Sequence, residues 1–434
     1  FGMLARVLTL GMFSDVEVVG SADHDGPRLI VANHFGGLVD AIVVVRAIGG
    51  LPHIVAKSTL FERLPLRAIL RMLGVVPVYR RVDHSDLTKN RGSFDEVSKV
   101  LLQGRSVLIF PEGTVTDTQE LQEIKTGAAR MALTAIEDGA QDLGIVPIGI
   151  TYEDKVSSRS RVLAEIGGAI TEEQILSEAD GEAGPDNHAL VRTLTDDIKE
   201  RLAALAPDYG SFIRERTMML AASIYLRTDM KRPFDDPSMA DLRSVAQSLA
   251  HRTDPTDTTE LAVTSRYSIA LTAAGLEDHQ VQPRPTASLL LKLAAFKAVI
   301  IVLIAPFALY GLVWNLIPIL LVVLVGVFVK EPVSKGTARV ITGLIVFPLS
   351  WIVVIAWTDP AFQWLAGLLL IVGLLLLIVL LSQLVDLFEA LVGWWAVKKH
   401  EGLIDELSAL RGDAIDELGG ILERQRRSLA SPDG

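Results

Sequence analysis

Cysteine is missing from this chain altogether. That excludes disulfides, thiolate metal sites and a cysteine nucleophile, and it fits a catalytic portion working in a reducing compartment. Basic excess is missing too: 41 Lys and Arg stand against 52 Asp and Glu, for a formal net charge of −11. Nucleic acid is therefore not expected as a partner, because phosphate-backbone binding needs clustered cations. An average of this kind leaves room for a local basic pocket. A secretory signal is not expected either. Phe1–Phe13 is apolar around Arg6, with no charged n-region and no small-residue cleavage site. Its apolar spacing at Leu4, Val7, Leu8 and Met12 suits a short amphipathic helix, packed on its own domain or touching lipid. The chain opens on Phe1 rather than Met, so a few further residues are expected ahead of it.

What is present is length and apolar content. The 434 residues leave room for more than one domain, and half of them are hydrophobic. The mean hydropathy of +0.38 is high for a soluble protein. The excess gathers after residue 288, so a soluble portion joined to a membrane portion is expected.

From residue 15 the pattern is α/β. Val16–Val19, Leu29–Ala32, His53–Lys57, Val75–Tyr79, Val107–Phe110, Ile145–Tyr152 and Val162–Ile166 read as strands. Between them, Asp40–Ile48, Leu60–Leu73, Ser93–Leu102 and Gly127–Asp138 read as helices. Alternation of this kind predicts a central mixed sheet flanked by helices over residues 1–170. Ligands of such sheets sit at the loops that leave the carboxyl ends of strands. Residues 171–288 predict a helical appendage with helices at Asn187–Leu205 and Ser211–Leu226, and loops at Gly181–Asp186, Arg232–Ser238, Thr253–Thr258 and His279–Pro285.

Residues 289–397 predict an all-α membrane region. Four spans are expected: Ala298–Trp314, Leu316–Val329, Val340–Trp357 and Phe362–Leu384, with tight turns at Trp314–Pro318 and Trp357–Phe362. The second is short, about 21 Å as a helix against a hydrocarbon layer of about 30 Å, so the first pair either spans or forms a re-entrant hairpin. Lys292, Lys297, Lys330, Lys335, Arg339, Lys398 and Lys399 all flank the ends opposite those turns. The positive-inside bias then puts the α/β portion and the tail, residues 398–434, on the cytoplasmic side. No Lys, Arg, Asp, Glu or His lies within the four spans, which argues for an anchor or oligomerisation element over a transport pathway. The tail alternates apolar and charged residues over Leu403–Arg424, as a surface or partner helix does.

Three places could carry chemistry. His34 and Asp40 follow a strand, with Gly36 and Gly37 between them to bend the loop. A histidine can take a proton from an attacking alcohol, and a carboxylate can fix its tautomer and stabilise the imidazolium. A His–Asp pair across a turn is also common as plain structure. Glu112, Gly113 and Thr114 follow another strand and offer an acid and a glycine that admits an anionic ligand. Arg80 and Arg81 leave a third strand as a pair suited to phosphate, with Lys57 and Lys125 as further cations. Each cation also reads as ordinary surface charge. A pocket of His, Asp, Glu and cations suits a phosphorylated alcohol that receives a group.

Four ordered blocks carry a family resemblance: NHFGGLVD at 33–40, GVVPVYRR at 74–81, FPEGT at 110–114 and IVPIGI at 145–150. Together they resemble the glycerolipid acyltransferases, the glycerol-3-phosphate and lysophosphatidate O-acyltransferases, over roughly residues 1–170. The resemblance implies His34 as general base with Asp40 as its partner. It implies Arg80, Glu112 and Gly113 at the glycerol phosphate, and Lys57 and Lys125 in family-like contexts, VAKSTL and EIKTGAA; Arg81 and Thr114 join the substrate-binding set on the reading of the residues alone. It further implies an acyl thioester donor, acyl-CoA or acyl carrier protein, a phosphorylated glycerol acceptor, a bilayer as partner, and no metal or redox cofactor; an oligomer stays open. Phe35, Gly36, Gly37, Leu38 and Val39 separate His34 from Asp40, one residue more than in the commoner form of the family. That longer spacing is similar to the fungal glycerol-3-phosphate/dihydroxyacetone-phosphate branch, and it tilts the acceptor toward glycerol-3-phosphate. The alternatives are remodelling of another lysolipid or polar acceptor, or a membrane scaffold whose acyltransferase-like domain is inactive.

Overall fold

The computed structural model describes residues 6, 9, 12–62, 67, 70, 71, 74–78, 89–115, 121–153, 160–179, 183–206, 209–228, 236–253, 261–276, 278–281, 287–329, 332–399 and 401–430. The chain divides into two compact units, residues 1–208 and 209–434.

The first unit is built on an eight-stranded sheet: β1 (Val16–Val19), β2 (Arg28–Ala32), β3 (His53–Lys57), β4 (Val76–Val78), β5 (Ser106–Ile109), β6 (Gly144–Tyr152), β7 (Val162–Ile166) and β8 (Ile170–Thr171). Its order is β1-β7-β6-β2-β5-β3-β4, with β8 also paired to β6. β6, β2, β5, β3 and β4 run parallel to one another, while β7 and β8 lie antiparallel to β6. The sheet is therefore mixed, as the strand–helix alternation predicts.

Side-chain alternation along β2 explains why both faces are covered. Leu29 and Val31 point into one core, while Ile30 and Ala32 point into the other. The Ile30 side carries helix α1 (Leu38–Ile48), which buries Val39, Val43 and Val44 there. The Leu29 side carries α2 (Lys89–Leu102) and α3 (Gly127–Glu137), through Val97, Leu101 and the Ala128–Ala135 stretch. The short α4 (Glu172–Ser177) opens with a capping box between Thr171 and Gln174. The helix α5 (His188–Leu205) joins the same face, burying Leu190, Val191, Leu194, Ile198 and Leu202. At about 2 kcal/mol for each buried aliphatic side chain, those five residues tie α5 to the sheet rather than to the helices after it. The first unit consequently runs on to 208, well past the expected edge at 170.

Some expected boundaries shift. α2 begins at Lys89, a turn earlier than Ser93. Leu60–Leu73 opens on a 3-10 turn, Ser58–Glu62, and much of the rest lies outside the described residues. Tyr79, Arg80 and Arg81 lie outside them as well. His279–Val281, expected in a loop, belongs to one helical turn, because Asp278 there takes part in a buried ion pair.

The second unit is helical: α6 (Phe212–Arg227), α7 (Met239–Arg252), α8 (Ala262–Ala274), α9 (Asp278–Val281), α10 (Ala287–Phe328), α11 (Pro332–Trp357), α12 (Gln363–Lys399) and α13 (Glu401–Ala430). Three of them, α10, α11 and α12, are long and apolar enough to cross a membrane. The expected turn at Trp314–Pro318 is absent: these residues are helical, within one 42-residue element that holds Pro306 and Pro318. The turn after Trp357 is present, with Asp359 capping the 3-10 turn Pro360–Phe362.

The first half of α10 runs antiparallel to α12. Lys297 donates to Gln383 at 3.2 Å, and the main chains of Gly311 and Gly373 meet so closely that a Cβ on Gly311 would lie 2.2 Å from Gly373. Its second half runs antiparallel to α11, where Trp351 Nε1 donates to the buried Asn315 Oδ1 at 2.7 Å and Gly326 lies against Arg339. The C-terminal helix α13 packs back on α6, α8 and α9. Arg411 donates to Asp278 Oδ1 at 2.8 Å, both side chains being buried, and Tyr267 donates to the same oxygen at 2.8 Å. Glu417 accepts the main-chain N–H of Val263 and Thr264 and the Thr264 hydroxyl at the start of α8.

Removing one partner of a buried ion pair leaves an uncompensated charge, at about 3–5 kcal/mol. Arg411→Ala is therefore expected to loosen α13 from the bundle. Limited proteolysis in detergent should cut residues 401–430 more than tenfold faster, roughly what about 1.4 kcal/mol alone would give, while the first unit stays resistant. An unchanged digestion pattern would contradict this account of the tail.

Candidate active site

The parallel strands set where the chemistry gathers. β2, β5, β3 and β6 end on one edge of the sheet, so Asn33 and His34, Phe110–Thr114, Lys57 and Tyr152 leave from the same side. Asn33 is fully buried and extends the β2–β6 ladder with its amide: Nδ2 donates to Ile150 O at 2.9 Å and Oδ1 accepts Ile150 N–H at 2.7 Å. That double bond fixes where the next residue starts.

His34 Nδ1 lies 2.9 Å from Asp40 Oδ2, so the five-residue loop does bring the two side chains together. The loop closes because Gly37 takes φ +69° at the start of α1, a backbone state that glycine adopts without strain. Asp40 lies in the first turn of α1, where a carboxylate is favoured by the helix dipole. Its Oδ2 also accepts Gly36 N–H at 2.7 Å, and its Oδ1 accepts the Tyr152 hydroxyl at 2.5 Å. The ring of His34 stacks on Phe110, with centroids 3.9 Å apart and planes 15° from parallel. Its side chain is 17% exposed, whereas Asp40 is 0% exposed. With Nδ1 engaged by Asp40, Nε2 is the nitrogen left to exchange a proton with a bound molecule.

Glu112 is also fully buried. Its Oε1 accepts His34 N–H at 2.7 Å and its Oε2 accepts Gln122 N–H at 3.0 Å. Burial raises its carboxyl above the ordinary range, against the two main-chain bonds and His34, which lower it; the charge of Asp40 adds to the rise. Glu112 thus ties three loop segments together, and a bound hydroxyl would have to displace one of these bonds to reach it. Gly113 sits at φ +62°, its N–H closing a turn on Phe110 O at 3.0 Å, and a Cβ there would stand 3.2 Å from Lys125 Nζ. The exposed Lys125 is held beside this turn by its own N–H on Pro111 O at 3.0 Å. Thr114 is exposed after the turn, and Lys57 is exposed at the end of β3.

Of the residues singled out from sequence, the structure brings His34, Asp40 and Glu112 into one hydrogen-bonded group, with Gly113 and Lys125 beside it. Arg80 and Arg81 lie outside the described residues. Asn33, Phe110, Gln122 and Tyr152 were not singled out. Asn33 could have been found as the one polar residue closing the LIVA run. The phenol of Tyr152 ends the apolar run of β6, and an amphipathic tip in that place is the signal that was available.

Comparison with known proteins gives a family match within the first unit. The acyltransferase family model matches residues 15–151. The chain is 28% identical over 211 residues to glycerol-3-phosphate O-acyltransferase 2 of Saccharomyces cerevisiae, a stretch covering 48% of this chain and 28% of the relative. It is 29% identical over 159 residues to a probable 1-acyl-sn-glycerol-3-phosphate acyltransferase of Mycoplasma pneumoniae, covering 35% and 55%. It is 28% identical over 140 residues to the lyso-ornithine lipid O-acyltransferase of Brucella abortus, covering 32% and 49%. The chain thus spans between about a quarter and a little over half of these relatives. Residues 15–151 match the acyltransferase family model, and the chain is similar in sequence to proteins named as glycerol-3-phosphate and 1-acyl-sn-glycerol-3-phosphate acyltransferases.

Proposed function

We propose that this chain is a membrane-embedded O-acyltransferase that moves a fatty acyl group from an acyl thioester to the hydroxyl of a glycerol phosphate. The observation that carries the reading is the 2.9 Å contact of His34 Nδ1 with buried Asp40, on the sheet edge where the FPEGT loop also emerges. In the proposed step, His34 Nε2 takes the proton of the acceptor hydroxyl as its oxygen attacks the thioester carbonyl carbon. Asp40 holds the tautomer and offsets the imidazolium charge. The tetrahedral intermediate collapses with cleavage of the C–S bond, and the leaving thiolate takes the proton back from His34. No protein nucleophile is needed, because the acceptor brings its own. Acyl-CoA or acyl carrier protein serves as donor.

Cations at the same edge support a phosphorylated acceptor. Lys125 beside the Gly113 turn and Lys57 at the end of β3 are suited to a phosphate, and we assign Arg80 and Arg81 to it on the family resemblance. Thr114 and Gly113 complete the assigned binding set. Glycerol-3-phosphate is favoured over lysophosphatidate on the His34-to-Asp40 spacing and on the yeast relative's name. A second reading, acylation of a non-phosphate lysolipid, is favoured by the name of the Brucella relative.

We also propose that residues 1–288 and the tail lie on the cytoplasmic side. The bundle ahead of α10 and the helix after α12 pack together through Arg411, Asp278 and Glu417, so both ends of the apolar region lie on one face of the membrane. An even number of crossings follows, which three single-pass helices do not give. A 42-residue helix is about 63 Å long, twice the hydrocarbon thickness, and α10 is antiparallel to α12 in one half and to α11 in the other. We read it as bending near Pro318, entering and leaving by the same face. Every basic flank then lies on that face, which the positive-inside bias makes cytoplasmic.

His34→Ala is expected to lower acyl transfer from acyl-CoA to labelled glycerol-3-phosphate about a thousandfold. Full activity in that variant would end the general-base reading. Offering lysophosphatidate and lyso-ornithine lipid in parallel ranks the acceptors, and indifference to Arg80→Ala favours the non-phosphate reading. For orientation, the lack of native cysteine makes single cysteines clean reporters. Thr272→Cys and Gly412→Cys should react with an impermeant maleimide from the same face of sealed vesicles, and Ala361→Cys from the other. Labelling of positions 272 and 412 from opposite faces would refute the even count.

A further inference from the structure

The structure assigns Tyr152 a role that none of the four sequence blocks contains: we propose that its hydroxyl is the positioning group that locks the His34–Asp40 pair. The inference rests on the proposed general-base chemistry for its consequence in activity, and on geometry alone for its structural part.

Asp40 is a planar carboxylate with two oxygens, and the structure engages them differently. Oδ2 receives His34 Nδ1 and Gly36 N–H, at 2.9 and 2.7 Å, both from its own loop. Oδ1 receives the Tyr152 hydroxyl at 2.5 Å, from a strand 112 positions later in the chain. That donor comes from the sheet, and it opposes rotation of the carboxylate about the bonds that carry it. With it, the dyad is referenced to β6.

The reference is rigid. β6 is buried along its entire length, and its register against β2 is carried past Ala32 by the two hydrogen bonds between Asn33 and Ile150. The Tyr152 ring is 4% exposed and packs on Phe13, with centroids 5.8 Å apart. A phenol has few rotatable bonds, so its oxygen is placed almost as firmly as the strand.

The glycine at 36 belongs to the same device. A Cβ on Gly36 would lie 2.8 Å from Asp40 Oδ1 and 2.8 Å from the Tyr152 oxygen. The longer loop therefore passes directly across the Tyr–Asp hydrogen bond, and a side chain at position 36 would have to push that bond apart. This is how one extra residue is accommodated between His34 and Asp40 without loss of their contact. Burial, and then the neighbouring Asp40 charge, keep the phenol protonated far above its ordinary range, so it stays a donor at every working pH.

The ionisable groups facing the dyad from the packed elements are Asp40 from α1, Glu112 from the loop after β5 and Tyr152 from β6, with Lys125 beyond the Gly113 turn. Removing the Tyr152 hydroxyl leaves the Asp40 charge less satisfied by donors, so the imidazolium of His34 becomes the better partner for it. The proton on His34 is then held more tightly, and the acid limb of the rate profile moves to higher pH.

The test is Tyr152→Phe in the full chain, which keeps the ring packed on Phe13. The expected result is a fall in kcat of roughly tenfold or more, KM for both substrates within about twofold, and an acid limb of kcat/KM raised by about half a pH unit or more. Alongside, carbon-13 histidine labelling, with the His34 resonance identified by its loss in His34→Ala, should show His34 titrating at higher pH in Tyr152→Phe. A kcat loss that is uniform across pH, with His34 titrating as in the native chain, would mean that Tyr152 only packs, and would overturn the proposal. Native kcat and native titration together would overturn it equally. If the resonance shifts but neither protein turns over any acyl donor, the positioning role stands and the acyltransferase reading falls.

Discussion

A carboxylate with no exposure to water is the constraint around which the first unit is arranged. An ionised Asp40 at that depth is stable only if donors replace its hydration, and three do: one ring nitrogen, one main-chain N–H and one phenol. They come from the end of β2, the loop before α1 and the end of β6. The charge can be satisfied only when β6 lies beside β2 in its native register, so strand order and local chemistry are one requirement. The mixed sheet, with β7 and β8 turned antiparallel onto β6, keeps β6 internal and fully covered.

A second buried acid, Glu112, holds the main chain beside the first. Glu112 spends both oxygens on main-chain N–H groups, one in the His34 segment and one at Gln122. Asp40 sets the orientation of the imidazole, while Glu112 sets the height of the backbone that bears it. The stack of His34 on Phe110 closes the third direction. The more solvent-exposed cations, Lys57 and Lys125, stand outside this frame, where an anionic molecule can reach them without disturbing it.

Much of this was legible in the sequence, for reasons that differ by element. Strands such as RLIVA and SVLI were readable because β-branched runs bounded by glycine and charge have few other uses. His34 and Asp40 were readable as a pair because the loop between them carries two glycines. Tyr152 and Asn33 were not, since their partners lie more than a hundred residues away and no local pattern records strand order. Helix α5 was assigned to the appendage because periodicity tells which face is apolar and not what covers it. The apolar run and its aromatics predict two spans with a turn at Trp314–Pro318, whereas the structure keeps one helix through Pro306 and Pro318. The pairing of Arg411 with Asp278 was invisible for the same reason as Tyr152: the two stand 133 positions apart.

That last contact has a temporal side. The cap on the first turn of α8 and the counter-ion of Asp278 are both supplied by a helix that follows every apolar segment in the chain. During synthesis, which runs from the amino end, residues 209–281 must wait with Asp278 lacking its counter-ion until the last long apolar segment has been made. Completion of the bundle therefore reports that the whole apolar region has been laid down. A chain stopped anywhere within it lacks α13, and the bundle of α6, α8 and α9 stays open on the side that helix covers.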